Sequence, residues 1–405
     1  MKNKKILYNN SIQKRHLKTS LNKRLSTKFE NIIKNIILNL DKSNNIFHSF
    51  SKNFKYNFNF TEINRFKKFK NIVVIGMGGS VLGSEAIYYF LKDKIKKKFV
   101  FLNNIDKKTL KKLKDKKISN KTLFIVISKS GNTVETISNF ISLNIIKKKA
   151  KNIIIISEGK KNSLHQLAQK MQLQHIEHKT YMGGRYSVLS ETGILPAYLM
   201  GINIKKLKKN LLSHLNNKNS NFLKDSSIKL ANLLQRKKFQ SIIFLNYIPQ
   251  LEKFLYWNQQ LMAESLGKNG KGFLPLISNA PKDHHSLLQL YLDGPRDKLF
   301  YIFSQTKEKE KKINFKYIDK SINFLKNKNL YEIKNAQKTA LVNTLRKKNI
   351  PFREIKIQEC CEESLGELFS YFMLETVIIG ILSGINPFDQ PAVEQFKFTT
   401  KKLLI

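Results

Sequence analysis

Residues 123–136 read LFIVISKSGNTVET. The first five are apolar, three of them β-branched, and with Ser128 they make a short run that fits a strand buried on both faces. The chain then turns small and polar, and Thr133-Val-Glu-Thr reads as the first turn of a helix. Such a turn delivers the side chains of Ser128, Ser130, Asn132 and Thr133, with free backbone N–H groups, to a helix N-terminus. The helix dipole favours an anion there. The Ser-Lys-Ser-Gly-Asn-Thr turn matches a single phosphate group in size and lacks the spacing of a nucleotide P-loop. The same residue types also suit an ordinary helix cap, so the turn takes its meaning from the rest of the chain.

A second glycine turn precedes it. IVVIG, ending at Gly76, reads as a buried parallel strand, and MGGSVLGSEAIYYFLKD opens a helix behind it. A dinucleotide fingerprint fails here, because its third glycine would fall at Val81 and the next strand, FVFLNN, carries Asn103 at its end rather than an acidic ribose ligand. The turn therefore lets backbone approach a different ligand, with Ser80 at the helix start. With FVFLNN, LFIVIS and NIIIIS, the strand–helix alternation implies a parallel sheet covered on both faces. Both polar turns lie at strand C-terminal ends, where open α/β sheets bind ligands.

The second half repeats the rhythm without repeating the sequence. SIIFLNY, GFLPLIS, KLFYIFS and PFREIKI read as strands, PQLEKFLYWNQQLMAESLGK as a helix, and SLGELFSYFMLETVIIGILSGI as a long buried helix. The expected layout is a helical N-terminal arm (1–65, with an amphipathic helix near 29–40), a first α/β domain (66–215), a second (216–384) and a tail (385–405). A linker is expected over 207–224.

The chain has 405 residues, 41% hydrophobic and 11% aromatic, enough to bury large cores. Its 74 Lys+Arg against 29 Asp+Glu give a formal charge of +45. The lysines are scattered among Asn, Ile and Phe and form neither a tail nor a nucleic-acid motif, so no specific nucleic-acid partner is expected. The charge should steer anionic substrates inward. The only cysteines, Cys360 and Cys361, are adjacent and suit neither a disulfide nor a zinc site. They fit a reducing cytosol, and the N-terminus lacks a secretory h-region. The apolar run at 371–385 is interrupted by Glu375 and suits a core helix better than a membrane span.

Several residues carry chemistry. Two glycines before Arg185 let the backbone aim a guanidinium. Glu264 ends a partly apolar helix, where a carboxylate can be desolvated toward a useful base, and Gln260 shares its helical face. In Asp283-His-His-Ser, two histidines lack the further ligands of a metal site, which leaves one imidazole as acid or base.

GMGGSVLG, VISKSGNTVET, GGRYSVLSETG, QQLMAESLGK, HSLLQLYLDG and QPAVEQFK follow one another over residues 71–397. In this order they resemble glucose-6-phosphate isomerases of the shorter bacterial form. That family has two sugar-isomerase (SIS) domains, doubly wound parallel-sheet αβα sandwiches. The resemblance implies that Gly79, Ser80, Ser128, Lys129, Ser130 and Thr133 hold the 6-phosphate. Glu264 would carry a proton between carbons 1 and 2, and Arg185 would stabilise a cis-enediolate. His285 and Lys397 would serve ring opening and closing, and Gln260 and Gln390 would position the sugar. It implies no metal or organic cofactor, a cytoplasmic enzyme, and a homodimer in which the histidine reaches the partner's site. The segment Pro281-Lys-Asp-His departs from the long-form Gly-Thr-Asn-Gly-Gln type ahead of that histidine. A phosphosugar sensor without catalysis would need the cradle alone and not the glutamate, arginine, histidine and lysine. A dehydrogenase would need the intact glycine fingerprint.

Overall fold

The computed structural model describes residues 5–216, 220–306, 312 and 319–404. The chain opens with β1 (Ile6–Asn10), a strand where the sequence suggested only a helical arm, followed by a helix Thr19–Leu38. The arm's helix is longer than expected and buries Leu25, Phe29, Ile33 and Ile36, which recur at helical spacing.

The first sheet holds β2 (Asn71–Ile75), β3 (Lys98–Leu102), β4 (Thr122–Ile127), β5 (Ile153–Ser157) and β6 (Gln174–Glu177), all parallel, in the order β3-β2-β4-β5-β6. Every residue of β4 is buried, as a central parallel strand requires. β6 has only four residues, three of them polar, and nothing in its pattern announces a strand. The order reverses between β2 and β4. The two polar turns read from the sequence follow these two strands and flank the switch point where such sheets take ligands.

The second sheet holds β7 (Ser241–Asn246), β8 (Leu274–Asn279), β9 (Lys298–Gln305) and β10 (Phe352–Ile357), with β1 added antiparallel on β10, in the order β1-β10-β9-β7-β8. The arm thus closes an edge of the second sheet. The linker expected over 207–224 is cut short by a helix from Ser220, and its residues 217–219 lie outside the described residues. The helix after β4 spans Val134–Ser142, shorter than the run to Lys149 that the sequence suggested. Asn144 follows with φ 52°, a left-handed residue that ends it.

One large apolar cluster joins the facing sides of both sheets through the helices Leu82–Phe90, Glu252–Leu266 and Glu362–Leu382. Trp257 is fully buried in it, edge-on to Phe369 at 4.8 Å. Burial of each such side chain is worth about 1.5–3 kcal/mol. Glu362–Leu382 is long and apolar enough to cross a membrane, but 94% of its apolar window is buried inside the protein. These contacts hold the helix Glu252–Leu266 against the turn that follows β2, which decides where Glu264 stands.

Candidate active site

The turn after β2, Gly78–Ser80, is packed against the turn at Gly184. A Cβ on Gly79 would lie 2.2 Å from the Gly184 carbonyl carbon and 2.5 Å from the Arg185 nitrogen, so only glycine lets the two backbones meet. The Gly183-Gly184 pair, read from the sequence as a bend that aims Arg185, sits in this contact. Trp257 Nε1 donates to the Arg185 carbonyl at 3.2 Å and fixes the arginine's backbone to the Glu264 helix.

Arg185 is 3% exposed, and each of its nitrogens is occupied. Nε donates to Ser265 Oγ at 2.8 Å, and Nη1 donates to Glu264 Oε2 at 3.2 Å and to Gln390 Oε1 at 3.1 Å. Nη2 donates to the carbonyls of Pro387 at 2.6 Å and Asp389 at 3.0 Å. The tail segment 387–390 is therefore wrapped round the guanidinium, and a salt bridge of 2.7 Å from Lys268 to Asp389 ties it down. Ser265 and Tyr186 carry no role in the sequence reading. Tyr186 Oη donates its single proton to the Pro387 carbonyl at 2.8 Å, so the contact of 2.8 Å between Tyr186 and Ser265 is donated by the serine. The signal for both was adjacency, Tyr186 to Arg185 and Ser265 to Glu264.

Glu264 is 32% exposed on its side chain, against 3% for the arginine it faces. Gln260, one turn earlier, donates from Nε2 to Glu264 Oε1 at 2.9 Å. The Gln260 carbonyl oxygen is buried with no hydrogen-bond partner among the described residues. The carboxylate is thus oriented on both oxygens while part of it faces the solvent side of the site. This is the geometry of a base that must reach a small substrate.

The turn after β4 brings a serine and a threonine hydroxyl together at the start of the next helix. Ser128 Oγ lies 2.8 Å from Thr133 Oγ1, and Thr133 caps the helix Val134–Ser142 without spending its side chain on that helix's N–H groups. Those N–H groups remain available to an anion. Ser130 is exposed and accepts from the Asn132 N–H at 3.3 Å. Gly131 has φ +65°, and a Cβ on it would lie 1.7 Å from Asn162 Oδ1. Asn162 in turn donates to the carbonyls of Glu158 and Lys160 at 2.9 Å each, so the cradle rests on the loop after β5. Lys129 stands 3.8 Å from Glu158. Burial lowers its ammonium below the usual lysine value, opposed by Glu158 and assisted by Lys160 and Arg185. A cleft of about 700 Å³ opens beside the cradle, lined by Lys129, Gly183, Tyr186 and Phe388 and by Asn35 and Asn39 of the arm. The arm, which the sequence left without a role, borders the site.

Two of the expected residues are not brought to this cluster. His285 is exposed behind the edge strand β8, beside His284, whose Nε2 lies 2.8 Å from Tyr247 Oη. Lys397 is half-exposed on the helix Ala392–Leu403, 2.7 Å from Glu394. That helix has no buried residue and exposes Phe396, Phe398 and Leu403. Among the described residues no group of three or more His, Cys, Asp or Glu side chains is placed to hold a metal ion.

The sequence profile of phosphoglucose isomerase matches residues 10–404. A probable glucose-6-phosphate isomerase of Methanococcus maripaludis is 33% identical over 93% of this chain and 94% of its own length. The glucose-6-phosphate isomerase of Methanocaldococcus jannaschii is 32% identical over 84% of this chain and 86% of its own. Among solved structures, a hypothetical protein of Thermus thermophilus superposes with a TM-score of 0.81 at 23% identity, covering 98% of this chain and all of its own. The glucose-6-phosphate isomerase of Chlamydia trachomatis superposes with a TM-score of 0.69 at 18% identity, covering 85% of this chain and 72% of its own. Both share the fold of paired parallel-sheet domains. The chain belongs to the phosphoglucose isomerase family.

Proposed function

We propose that the protein interconverts D-glucose 6-phosphate and D-fructose 6-phosphate through a cis-enediol, with Glu264 as the proton carrier. The observation that carries this reading is the pairing of Glu264 with Arg185 beside a phosphate cradle. In the aldose-to-ketose direction, Glu264 takes the proton from carbon 2 and returns it to carbon 1, while the hydroxyl proton moves between the two oxygens. The negative charge that builds on those oxygens exists only in the transition state and intermediate, and a fixed guanidinium beside the base stabilises it there. Gln260 and Gln390 hold base and guanidinium in place, and the unpaired Gln260 carbonyl is an acceptor for a sugar hydroxyl. Gly79, Ser80, Ser128, Lys129, Ser130 and Thr133 anchor the far end of the substrate, so that binding energy at the phosphate is used to orient the reacting carbons.

His285 and Lys397 complete the reading only in an assembly. Both are exposed in the single chain, and the Lys397 helix presents uncovered phenylalanines. These features support a homodimer in which His285 enters the partner's site and the tail helix is covered. Ring opening and closing is the step assigned to these two residues. We place the enzyme in the cytoplasm, in glycolysis and gluconeogenesis, and propose neither a metal nor an organic cofactor for the reaction. No nucleic-acid partner is proposed for the scattered surface cations.

The test is a coupled assay that follows glucose 6-phosphate formed from fructose 6-phosphate with a metal chelator present. Turnover that survives chelation is expected. Thermal stabilisation by the sugar phosphate without turnover would point to a sensor of phosphosugars.

A further inference from the structure

Lys238, Lys298 and Pro351 stand at the N-terminal ends of β7, β9 and β10, on one edge of the second sheet. A pocket of about 400 Å³ opens at this edge, lined by none of the residues of the cradle or of the Glu264 cluster and within the ~300–1,000 Å³ typical of small-molecule sites. Arg15, Lys238, Arg296 and Lys348 line it from four separate parts of the chain, and no carboxylate does so among the described lining residues. Lys298 also lines it, but its ammonium is held by Asp297 at 2.6 Å. Arg15 donates one N–H to the Asn349 carbonyl at 3.2 Å, which aims the guanidinium across the opening. Among the described residues, the side chains of Lys238, Arg296 and Lys348 make no hydrogen bond or ion pair.

A second feature separates this pocket from the general basic surface. His16 is 9% exposed, lines the pocket, and has no hydrogen-bond partner on either ring nitrogen among the described residues. It packs edge-on to Phe239 at 5.5 Å, with Tyr291 and Phe300 forming the rest of an apolar floor. A buried imidazole with no protein partner carries a desolvation cost that a ligand oxygen would remove. Burial lowers its pKa, with Arg15 and Lys238 acting in the same direction and the Asn349 backbone, near the ring but outside hydrogen-bond geometry, against them.

We propose that this pocket is a second anion site, distinct from the sugar-phosphate cradle, and that it takes a di- or triphosphate group, free or carried by a nucleotide. Several unpaired cations converge there, arginines match phosphate oxygens with paired N–H donors, and the pocket exceeds the room one phosphate needs.

The experiment titrates the intact protein with inorganic tripolyphosphate by calorimetry, with fructose 6-phosphate saturating the cradle. One equivalent is expected to bind. Charge reversals Arg296→Glu and Lys238→Glu should each weaken it at least about tenfold. Lys111→Glu, on an exposed helix of the first domain, should change it less than about twofold, although it alters net charge equally. Circular dichroism and the unfolding midpoint without polyphosphate confirm that the variants are folded. ATP is the second arm. Tighter binding of ATP assigns the apolar floor to a base, and tighter tripolyphosphate assigns the site to free polyphosphate. Equal weakening by Lys111→Glu would overturn the proposal as a net-charge effect. Loss of all binding once fructose 6-phosphate is present would overturn it in favour of the cradle alone.

Discussion

Arg185 Nη1 stands 3.2 Å from Glu264 Oε2, across the interface between the two sheet domains. The cation comes from the turn after β6 of the first domain and the carboxylate from the helix after β7 of the second. Packing between the domains therefore sets the distance between proton carrier and charge stabiliser. A shift of about 1 Å in such a constellation can cost ~100-fold in rate.

Ser265 is the residue that holds this distance. Its oxygen accepts from Arg185 Nε while its proton goes to Tyr186, which is anchored on Pro387. In Ser265→Ala, the guanidinium loses its only bond on the Nε side. We expect kcat to fall roughly ten- to hundredfold, with KM for fructose 6-phosphate within about threefold. Steady-state kinetics distinguish this from a loss of stability alone, which would lower the amount of active enzyme and leave its pH profile and KM unchanged.

The cradle is tested at Gly131. Gly131→Ala forces a side chain into φ +65° and to 1.7 Å from Asn162 Oδ1, so the loop between β4 and its helix must move. The phosphate should lose its N–H donors, and KM should rise at least about tenfold, equivalent to ~1.4 kcal/mol. Weaker inhibition by inorganic phosphate in the same variant would locate the loss at the phosphate end.

His178 provides a pH dependence. It is buried just past β6, its Nδ1 is 2.9 Å from the Lys179 carbonyl, and Nε2 has no partner among the described residues. Burial is the main cause that lowers its pKa to about 4, aided by Lys129 and Lys179. The folded value lies below the unfolded one of 6.5. The unfolded chain therefore binds the proton first as the pH drops. The contribution to stability is complete above about pH 6.5 and is lost as pH falls toward 4, to the extent of about 3 kcal/mol. Urea unfolding at pH 7 and pH 4.5 should show a smaller drop for His178→Gln than for the parent.

Much of this was legible in the sequence because it depends on local pattern. The buried run 123–127 could hardly be anything but a central strand, and the Ser128–Thr133 turn had to fall at its C-terminal end. Gln260 and Glu264 share a face by helical spacing alone. The unread parts depend on tertiary contact. β1 becomes a strand because β10 offers it an edge, and β6 is too short and polar for a pattern to mark it. Ser265 and Tyr186 matter through a carbonyl at Pro387, more than a hundred residues distant in sequence. His285 and Lys397 were recognised by resemblance, and the single chain leaves both exposed.

The central claim is that Glu264 carries the proton, and Glu264→Gln tests it most directly. The reaction is run from fructose 6-phosphate in deuterated water, following glucose 6-phosphate formation and deuterium at carbon 2. The parent enzyme should turn over and incorporate label. Glu264→Gln should lose about 100- to 10,000-fold in kcat, and the label with it, while fructose 6-phosphate still raises its unfolding temperature. Near-parental turnover by Glu264→Gln would contradict the account.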